Sequence, residues 1–342
     1  MSLTTASSAA ETHPDTRPLL EVTDVVKHFN VGGGLLRSST PPVRAVDGVS
    51  FTLARGETLG LVGESGSGKS TLGRLVLRLL DPTSGSVVFD GQDITNTKQW
   101  NLKSLRRRMQ LIFQDPVSSF NPRMTIEDTL MEPMVVHGIG GTTTERKRRC
   151  AELLDQVGLA SSALAKYPHQ FSGGQAQRIG IARALTTNPE LLVCDEAVSA
   201  LDVSIQAQVL NLLKDIQRDL NISYLFIAHD LNVVRYISDR VCVMYLGKLA
   251  EVGESDKIMA EPHHPYTQAL VRSIPAVTTT SERVHRLPLQ GEIPNPSRPP
   301  SGCRFHTRCP HRFDACDKKV PELLELDGSL VACHLYDEEV SR

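Results

Sequence analysis

The sequence is poor in aromatic residues and has no long apolar segment. Aromatic residues make up 5% of the 342 residues, whereas hydrophobic residues together reach 40%. An aliphatic composition of this kind suits a mixed α/β core better than an all-β sandwich. No apolar run approaches the roughly 20 residues that span a bilayer, which predicts a cytoplasmic chain.

An excess of charge of one sign is also missing. Lysine and arginine total 37, and aspartate and glutamate total 39. This balance disfavours nucleic acid as a partner, because a nucleic-acid binder of this size carries a basic excess. Residues 1–18 are rich in Ser, Thr, Ala and Pro and lack an apolar centre. We therefore expect a disordered segment there and not a secretory signal.

Cysteine is sparse in the first three quarters of the chain and concentrated near the end. Four of the seven cysteines fall within 31 residues, at Cys303, Cys309, Cys316 and Cys333. In a cytoplasmic chain such a cluster predicts metal ligation before disulfides. The spacings lack the CxxC pairs of common zinc ribbons, which favours four thiolate ligands for one centre. Two alternatives stay open, namely four free thiols, or a zinc site in which a histidine substitutes for a thiol, with the candidates His306, His311 and His334.

Strand-like and helical patterns alternate through the middle of the chain. Apolar runs predict buried strands at 58–63, 190–195 and 223–228, and helical periodicity predicts helices at 70–80 and 205–220. This alternation indicates an α/β fold with a mostly parallel sheet covered on both faces. The apolar face predicted for the first helix consists of Leu72, Leu75, Val76 and Leu79.

The chain divides into three predicted parts. Residues 1–18 form the disordered segment, 19–260 the sheet domain, and 261–342 a separate C-terminal extension rich in Pro, Ser and Cys. Within the sheet domain, residues of about 115–185 contain helical patterns and little strand signal, so we interpret them as an inserted helical subdomain. No internal repeat is present, which indicates one unit and not a tandem pair.

A phosphate-binding pattern follows the first predicted strand. Residues 63–70 read Gly-Glu-Ser-Gly-Ser-Gly-Lys-Ser and match G-x-x-x-x-G-K-[ST]. Glycines let backbone N–H groups surround phosphate oxygens, and the next helix directs its positive end at them. Lys69 would reach the β- and γ-phosphates of a nucleotide, and Ser70 would ligate Mg²⁺. The predicted nucleotide contacts are Gly63, Ser65, Gly66, Gly68, Lys69, Ser70 and Thr71, and the alternative is a chance glycine-rich turn.

An acidic pair ends the second predicted strand. Asp195 would hold Mg²⁺, and Glu196 would orient or deprotonate the water that attacks the γ-phosphate. The alternative is an acidic pair that merely caps a strand end. The phosphate loop upstream favours the functional interpretation.

A second exposed helix start lies between the phosphate loop and the acidic strand. Residues 171–175, Phe-Ser-Gly-Gly-Gln, end twenty residues before Asp195 and open a helical run to Leu185. In this position the segment resembles the signature of the ATP-binding cassette (ABC) ATPases, which is usually Leu-Ser-Gly-Gly-Gln. Phe171 stands in for the Leu. The resemblance covers about residues 19–253 and implies ATP and Mg²⁺ as cofactors.

The other elements of this family fall in order. The resemblance implies that Gln114 contacts Mg²⁺ and the attacking water, that His229 contacts the γ-phosphate, and that Phe29 stacks on adenine, with His28 as the neighbouring alternative. Residues 199–202 fit the family's D-loop. One departure is Ala197, where the family usually has Pro.

The resemblance also implies that the chain works in pairs. In the family two subunits meet head to tail, and each ATP lies between the phosphate loop of one and the signature of the other. In this chain the signature contacts would be Ser172, Gly173, Gly174 and Gln175. Closure of such a dimer drives a membrane subunit between two states.

Longer segments are similar to the ATPases of the dipeptide/oligopeptide ABC importers. These segments are residues 114–123, 167–175, 199–208, 264–267 and the cysteine cluster. The resemblance implies an ATP-hydrolysing subunit that energises peptide import from the cytoplasmic face of the cell membrane. Its partners would be a second ATPase in a heterodimer, two permeases and an external substrate-binding protein. It also implies a structural [4Fe–4S] cluster on the four cysteines, with zinc as the alternative.

Three other functions remain as alternatives. The same motor could serve nickel or glutathione import. A non-transport ABC ATPase is disfavoured, because the chain has neither a second cassette nor a long coiled-coil insertion. A sensor or scaffold is disfavoured by Glu196, because a pure switch needs no catalytic carboxylate.

Overall fold

The computed structural model describes residues 17–30, 41–274, 291–338 and 340. Residues 1–16 of the segment predicted to be disordered lie outside this range. The strands are β1 Leu20–Phe29, β2 Val43–Leu53, β3 Thr58–Val62, β4 Ser84–Phe89, β5 Gln92–Asp93, β6 Met109–Ile112, β7 Leu191–Asp195, β8 Ser223–Ala228, β9 Arg240–Tyr245, β10 Lys248–Glu254, β11 Leu324–Leu326 and β12 Ser329–Val331. The α-helices are α1 Lys69–Val76, α2 Lys103–Arg108, α3 Pro116–Ser119, α4 Ile126–His137, α5 Thr143–Gln156, α6 Gly173–Leu185, α7 Val203–Leu220, α8 Leu231–Ile237, α9 Ser255–Ala260 and α10 Pro265–Ser273.

Two sheets form the framework of the described residues. The larger sheet has the order β11-β12-β10-β9-β3-β8-β7-β6, and its strands from β9 to β6 are parallel. The smaller sheet has the order β2-β1-β4-β5 and is antiparallel. The parallel sheet was predicted from the apolar runs, whereas the antiparallel sheet was not predicted.

The parallel strands separate two hydrophobic cores. Leu59 and Leu61 of β3 pack with the antiparallel sheet and α1, whereas Val62 belongs to the core on the opposite face, with α4, α6 and α7. Strand β7 alternates in the same way, with Val193 on the first face and Leu192 on the second. A sheet buried on both faces has near-continuous apolar strands, and for this reason the sequence pattern identified them.

The helices α3 to α6 lie between β6 and β7. The chain therefore leaves the sheet after β6 and returns at β7, as expected for an inserted helical subdomain. Three of these helices begin with a capping box, at Thr125 for α4, Thr142 for α5 and Ser172 for α6. The domain limits given in the sequence analysis stay predictions.

The C-terminal residues, predicted as a separate extension, are attached to the larger sheet. Strand β12 pairs with β10 at Val331↔Glu251 and Leu330↔Val252, which extends the larger sheet. Tyr336 donates a hydrogen bond of 3.0 Å to the carbonyl oxygen of His263. The amino-acid composition changes after residue 262, but the hairpin β11–β12, which lies beyond this change, pairs with β10, which lies before it.

The first predicted helix, at 70–80, extends beyond the end of the helix in the structure. Helix α1 ends at Val76, so Leu79 is 47% exposed and not part of the buried face. Arg78 has φ 51°, outside the helical region, and its buried guanidinium donates to the carbonyl oxygens of Ile94 and Leu80. These hydrogen bonds end the helix before its apolar periodicity ends. Within the described residues, no helix is both long and apolar enough to cross a bilayer.

Candidate functional site: a nucleotide cavity at the ends of the parallel strands

The phosphate loop connects β3 to α1 as predicted. Gly68 ends it with φ 105°, and a Cβ there would lie 2.0 Å from the carbonyl oxygen of Ala45. Only glycine fits this position, so the loop can curl against β2 and present its backbone N–H groups on the other side. Helix α1 begins immediately after it and directs its positive end into the loop.

Lys69 lies folded inside this loop. Its Nζ donates to the carbonyl oxygens of Gly63 at 2.7 Å and Glu64 at 3.0 Å. Burial lowers the pKa of Lys69, and the charges of Glu196 and Asp195 oppose that shift. The amine therefore stands where the phosphate loop and the acidic strand end converge.

Two of the three predicted magnesium ligands, Ser70 and Asp195, are in direct contact. Ser70 Oγ donates a hydrogen bond of 2.6 Å to Asp195 Oδ1. Asp195 is the last residue of β7 and is buried. A hydroxyl and a carboxylate oxygen are ligands that Mg²⁺ prefers, so the donor set fits this ion.

The three predicted catalytic side chains meet at Glu196, the residue that directly follows Asp195. Glu196 Oε2 accepts a hydrogen bond of 3.0 Å from Gln114 Nε2 and lies 3.6 Å from His229 Nδ1. Gln114, Glu196 and His229 follow β6, β7 and β8, whose carboxyl ends share one edge of the sheet. Glu196 has φ 50°, a left-handed conformation that is uncommon for a residue with a side chain.

A cavity of about 350 Å³ opens beside these groups. It is lined by Val43, Ala45, Ser65, Gly66, Gly68, Lys69, Ser70, Thr71, Gln114, Glu196 and Pro296. Most of the predicted phosphate contacts are in this lining. Sequence reasoning missed Pro296, a residue of the C-terminal segment, whose carbonyl oxygen accepts from Arg44 N–H at 3.1 Å.

Phe29, the predicted adenine contact, is not in the described lining of the cavity. It ends β1, is 36% exposed, and pairs with Val43 of β2, which does line the cavity. The structure therefore places Phe29 one strand away from the cavity wall. Its role in adenine binding stays a prediction.

The signature segment lies at the exposed start of α6. Ser172 Oγ accepts from Gln175 N–H at 3.4 Å, and Gln175 Oε1 accepts from Ser172 N–H at 3.1 Å, so the two residues form a capping box. A Cβ at Gly174 would lie 2.5 Å from Ile205 of α7, so glycine is required there for packing. In the part of the chain that the structure describes, no signature residue lines the nucleotide cavity.

The four C-terminal cysteines are free thiols that lie near one another. Cys303 N–H donates 2.8 Å to the carbonyl oxygen of Cys316. Burial raises the pKa of the Cys333 thiol to about 12, and Cys303, Cys309 and Cys316 add to this shift. Among the described residues, however, no group of His, Cys, Asp or Glu is arranged to hold a metal ion. The side-chain arrangement therefore does not support the predicted iron–sulfur site, nor the zinc alternative.

The C-terminal segment also contacts the phosphate loop, which sequence reasoning did not predict. Arg308 pairs with the carboxylate of Glu64, and Tyr266 Oη accepts from Glu64 N–H at 2.9 Å. Tyr266 lies in the segment 264–267 and Arg308 lies between two of the cysteines, but neither pattern indicated a contact with the phosphate loop.

Two family models match the chain. One, described as "ABC transporter", matches residues 46–199, and the other, "Oligopeptide/dipeptide transporter, C-terminal region", matches residues 250–316. The chain is 53% identical over 321 residues to the oligopeptide transport ATP-binding protein AppF of Bacillus subtilis, covering 93% of this chain and 97% of that protein. The chain belongs to the ATP-binding subunits of the oligopeptide/dipeptide ABC transporter family.

Other relatives agree with this assignment. A putative peptide import ATP-binding protein of Brucella ovis is 52% identical over 317 residues, covering 92% of this chain and 97% of that protein. The dimeric post-hydrolysis structure of the ATP-binding cassette MJ0796 with ADP and phosphate superposes with a TM-score of 0.62 at 27% identity, covering 69% of this chain and 98% of that one. This ABC subunit is thus an ATPase with the cassette fold, and the predicted family and α/β cassette are confirmed. The Cys-rich C-terminal extension stays a prediction.

Proposed function

We propose that this chain binds MgATP in the 350 Å³ cavity and hydrolyses it to drive peptide import through an ABC transporter. The observation that carries the proposal is the convergence of Gln114, Glu196 and His229 beside the contact between Ser70 and Asp195. The relatives named for oligopeptide transport and peptide import support peptide as the cargo.

In the proposed reaction each side chain acts on one group. Backbone N–H groups of residues 63–68 and the Lys69 amine hold the β- and γ-phosphates, and Ser70 and Asp195 hold Mg²⁺. Glu196 orients the attacking water and accepts its proton. Gln114 and His229 hold the Glu196 carboxylate in place. Gln114 also contacts Mg²⁺ and the attacking water, and His229 contacts the γ-phosphate.

The proposed partners follow from the exposed signature. Ser172, Gly173, Gly174 and Gln175 would complete the nucleotide site of a second ATPase subunit, which we infer to be a related chain in a heterodimer. Two permeases and an external substrate-binding protein complete the transporter, and the chain acts at the cytoplasmic face of the membrane. Peptide-stimulated hydrolysis distinguishes this proposal from nickel or glutathione import.

We also propose a structural [4Fe–4S] cluster on Cys303, Cys309, Cys316 and Cys333, with zinc as the competing metal. Support comes from the closeness of the other three thiols to Cys333, whose pKa they raise. It comes also from the match of residues 250–316, which contain three of the four cysteines, to the oligopeptide/dipeptide family region. The thiol side chains would have to rotate toward one another to ligate a metal, since they do not form a metal site as they stand.

The central test uses Glu196→Gln in the chain assembled with its companion ATPase and permeases in lipid vesicles. We expect MgATP binding to be retained and hydrolysis to fall by about 100-fold or more, because the water loses its base. The matched control is Glu254→Gln, which changes an exposed glutamate at the end of β10 and should leave the rate unchanged.

Unchanged hydrolysis in Glu196→Gln would contradict the role assigned to Glu196. Wild-type hydrolysis stimulated by a nickel- or glutathione-loaded binding protein, and not by a peptide-loaded one, would contradict the cargo.

A further inference from the structure

Arg308 connects the C-terminal segment to the phosphate loop through a two-point ion pair. Its Nη1 donates to Glu64 Oε2 at 2.6 Å and its Nη2 donates to Glu64 Oε1 at 3.1 Å. The Arg308 side chain is only 4% exposed, and its Nη1 also lies 3.3 Å from Tyr245 Oη. A buried bidentate pair of this kind fixes both partners in one geometry.

Glu64 is held by its backbone as well as by its side chain. Its N–H donates to Tyr266 Oη at 2.9 Å, and its carbonyl oxygen accepts from Ser67 N–H at 3.1 Å and from Lys69 Nζ at 3.0 Å. Glu64 is therefore bonded both to Tyr266 of α10 and, within the phosphate loop, to Ser67 and Lys69.

The charge of Glu64 is unfavourable for the ligand. A carboxylate in the phosphate loop repels the incoming triphosphate, and its influence reaches the Lys69 amine. Arg308 supplies the opposite charge in direct contact with this carboxylate. Glu64 does not line the cavity, but it directly precedes the lining residue Ser65. Without Arg308, an unpaired, half-buried carboxylate would therefore lie next to the loop that holds the anionic ligand.

A second arginine anchors the same stretch of chain. Arg304, which is buried, donates to Asp47 of β2, two residues after Ala45 in the cavity wall. Between the two arginines the backbone turns tightly, with Arg308 N–H donating 2.9 Å to the carbonyl oxygen of Phe305. The stretch 303–309 is thus anchored at two points, to β2 through Asp47 and to the phosphate loop through Glu64.

We infer that Arg308 is a positioning residue for nucleotide binding, because it neutralises the Glu64 carboxylate beside the phosphate loop. This inference deepens the proposed function and rests on the nucleotide cavity assigned there. The inference predicts the sign of the coupling between Arg308 and Glu64 in MgATP binding. Removing the positive charge weakens MgATP binding, whereas removing both charges restores it.

The test is a double-mutant cycle on the full-length chain. The dissociation constant for MgATP is measured for wild type, Arg308→Gln, Glu64→Gln and the double variant, and KM and kcat are then measured in the assembled transporter. We expect Arg308→Gln to weaken binding and raise KM by about five- to tenfold with little change in kcat. Glu64→Gln and the double variant should stay within about twofold of wild type, since neither leaves an unpaired carboxylate.

Two further variants separate charge from packing. Arg312→Gln removes an exposed arginine of the same segment and should leave MgATP binding unchanged. Arg308→Lys keeps the charge and loses the bidentate geometry, so its affinity should fall between those of wild type and Arg308→Gln. Melting temperatures of all variants report whether each is folded.

Two results would overturn the inference. One is a wild-type dissociation constant in Arg308→Gln. The other is a double variant that binds as weakly as Arg308→Gln, because relief by Glu64→Gln is what the charge argument demands. Failure of the wild-type chain to hydrolyse ATP in the assembled transporter would instead contradict the proposed function, and the binding cycle would still decide the role of Arg308.

Discussion

At the scale of single residues, the C-terminal thiols stand apart from the other cysteines. Cys150, Cys194 and Cys242 are each embedded in a hydrophobic core, whereas Cys303 and Cys309 are partly exposed and face further thiols. Burial raises the pKa of the Cys303 thiol to about 11, so in the absence of metal it carries its proton at neutral pH. Iron–sulfur ligation requires thiolates, so binding of the proposed cluster would release the thiol protons. The bound metal would then offset the free-energy cost of burying charged sulfur atoms.

Replacing Cys316 by Ser tests the proposed cluster. We expect anaerobically purified wild type to contain iron and acid-labile sulfide with a broad visible absorbance, and Cys316→Ser to lose most of all three. Cys150→Ser, which changes a buried thiol of α5, is the matched control and should retain them. One zinc per chain without iron would contradict the cluster, and so would unchanged iron in Cys316→Ser.

At the scale of elements, helix α10 begins at a buried histidine. His264 Nδ1 accepts from Tyr266 N–H at 3.0 Å, and His264 N–H donates to Glu251 Oε2 at 3.0 Å. The imidazole is 3% exposed and packs near the ring of Phe305. Burial lowers the pKa of His264 to about 4, so the folded chain keeps this side chain neutral where the unfolded chain protonates it.

This cap predicts a pH-dependent loss of stability. Between the unfolded pKa of about 6.5 and the folded value of about 4, the unfolded state binds one more proton, so stability falls as the pH falls. From pH 7.5 to pH 5 we expect His264 to account for about 2 kcal/mol of lost stability. His264→Asn retains an acceptor for Tyr266 N–H and cannot titrate. Denaturant unfolding should therefore show a wild-type loss about 2 kcal/mol larger than that of the variant, and equal losses would contradict the assignment.

The elements also differ in how far the sequence predicted them. Strands β3, β7 and β8 are buried on both faces, so their apolar runs are continuous and their predicted bounds agree with the structure within about one residue. Strand β1 was missed because register shifts at Val22/Val25 and Val25/Val26 interrupt its alternation of apolar and polar residues.

The contact of Arg308 with Glu64 could not be predicted from the sequence, for a physical reason. Arg308 and Glu64 lie 244 residues apart in the sequence, so no local pattern relates them.

At the scale of the whole molecule, the phosphate loop and the signature occupy different surfaces. The loop residues line the nucleotide cavity at the end of β3, whereas Ser172 to Gln175 begin α6 in the helical part and contact α7 through Gly174. The sequence motifs predicted both surfaces, because each is local. Their separation within one chain is a property of the fold, and it supports a site that two subunits complete together.

Gly173→Asp separates the two surfaces experimentally. A Cβ at Gly173 meets only Leu201 at 3.7 Å, and an acidic side chain in the first turn of α6 favours the helix dipole, so the variant should be at least as stable as wild type. MgATP binding to its own phosphate loop should be unchanged. In the assembled transporter, however, the new carboxylate would face the γ-phosphate held by the companion ATPase, and hydrolysis should fall by about 100-fold. Ser162→Asp, at an exposed position of the same helical part, should keep the wild-type rate. A wild-type rate in Gly173→Asp would mean that this signature faces no nucleotide, because a negative charge at a helix start that binds phosphate cannot be neutral to its function.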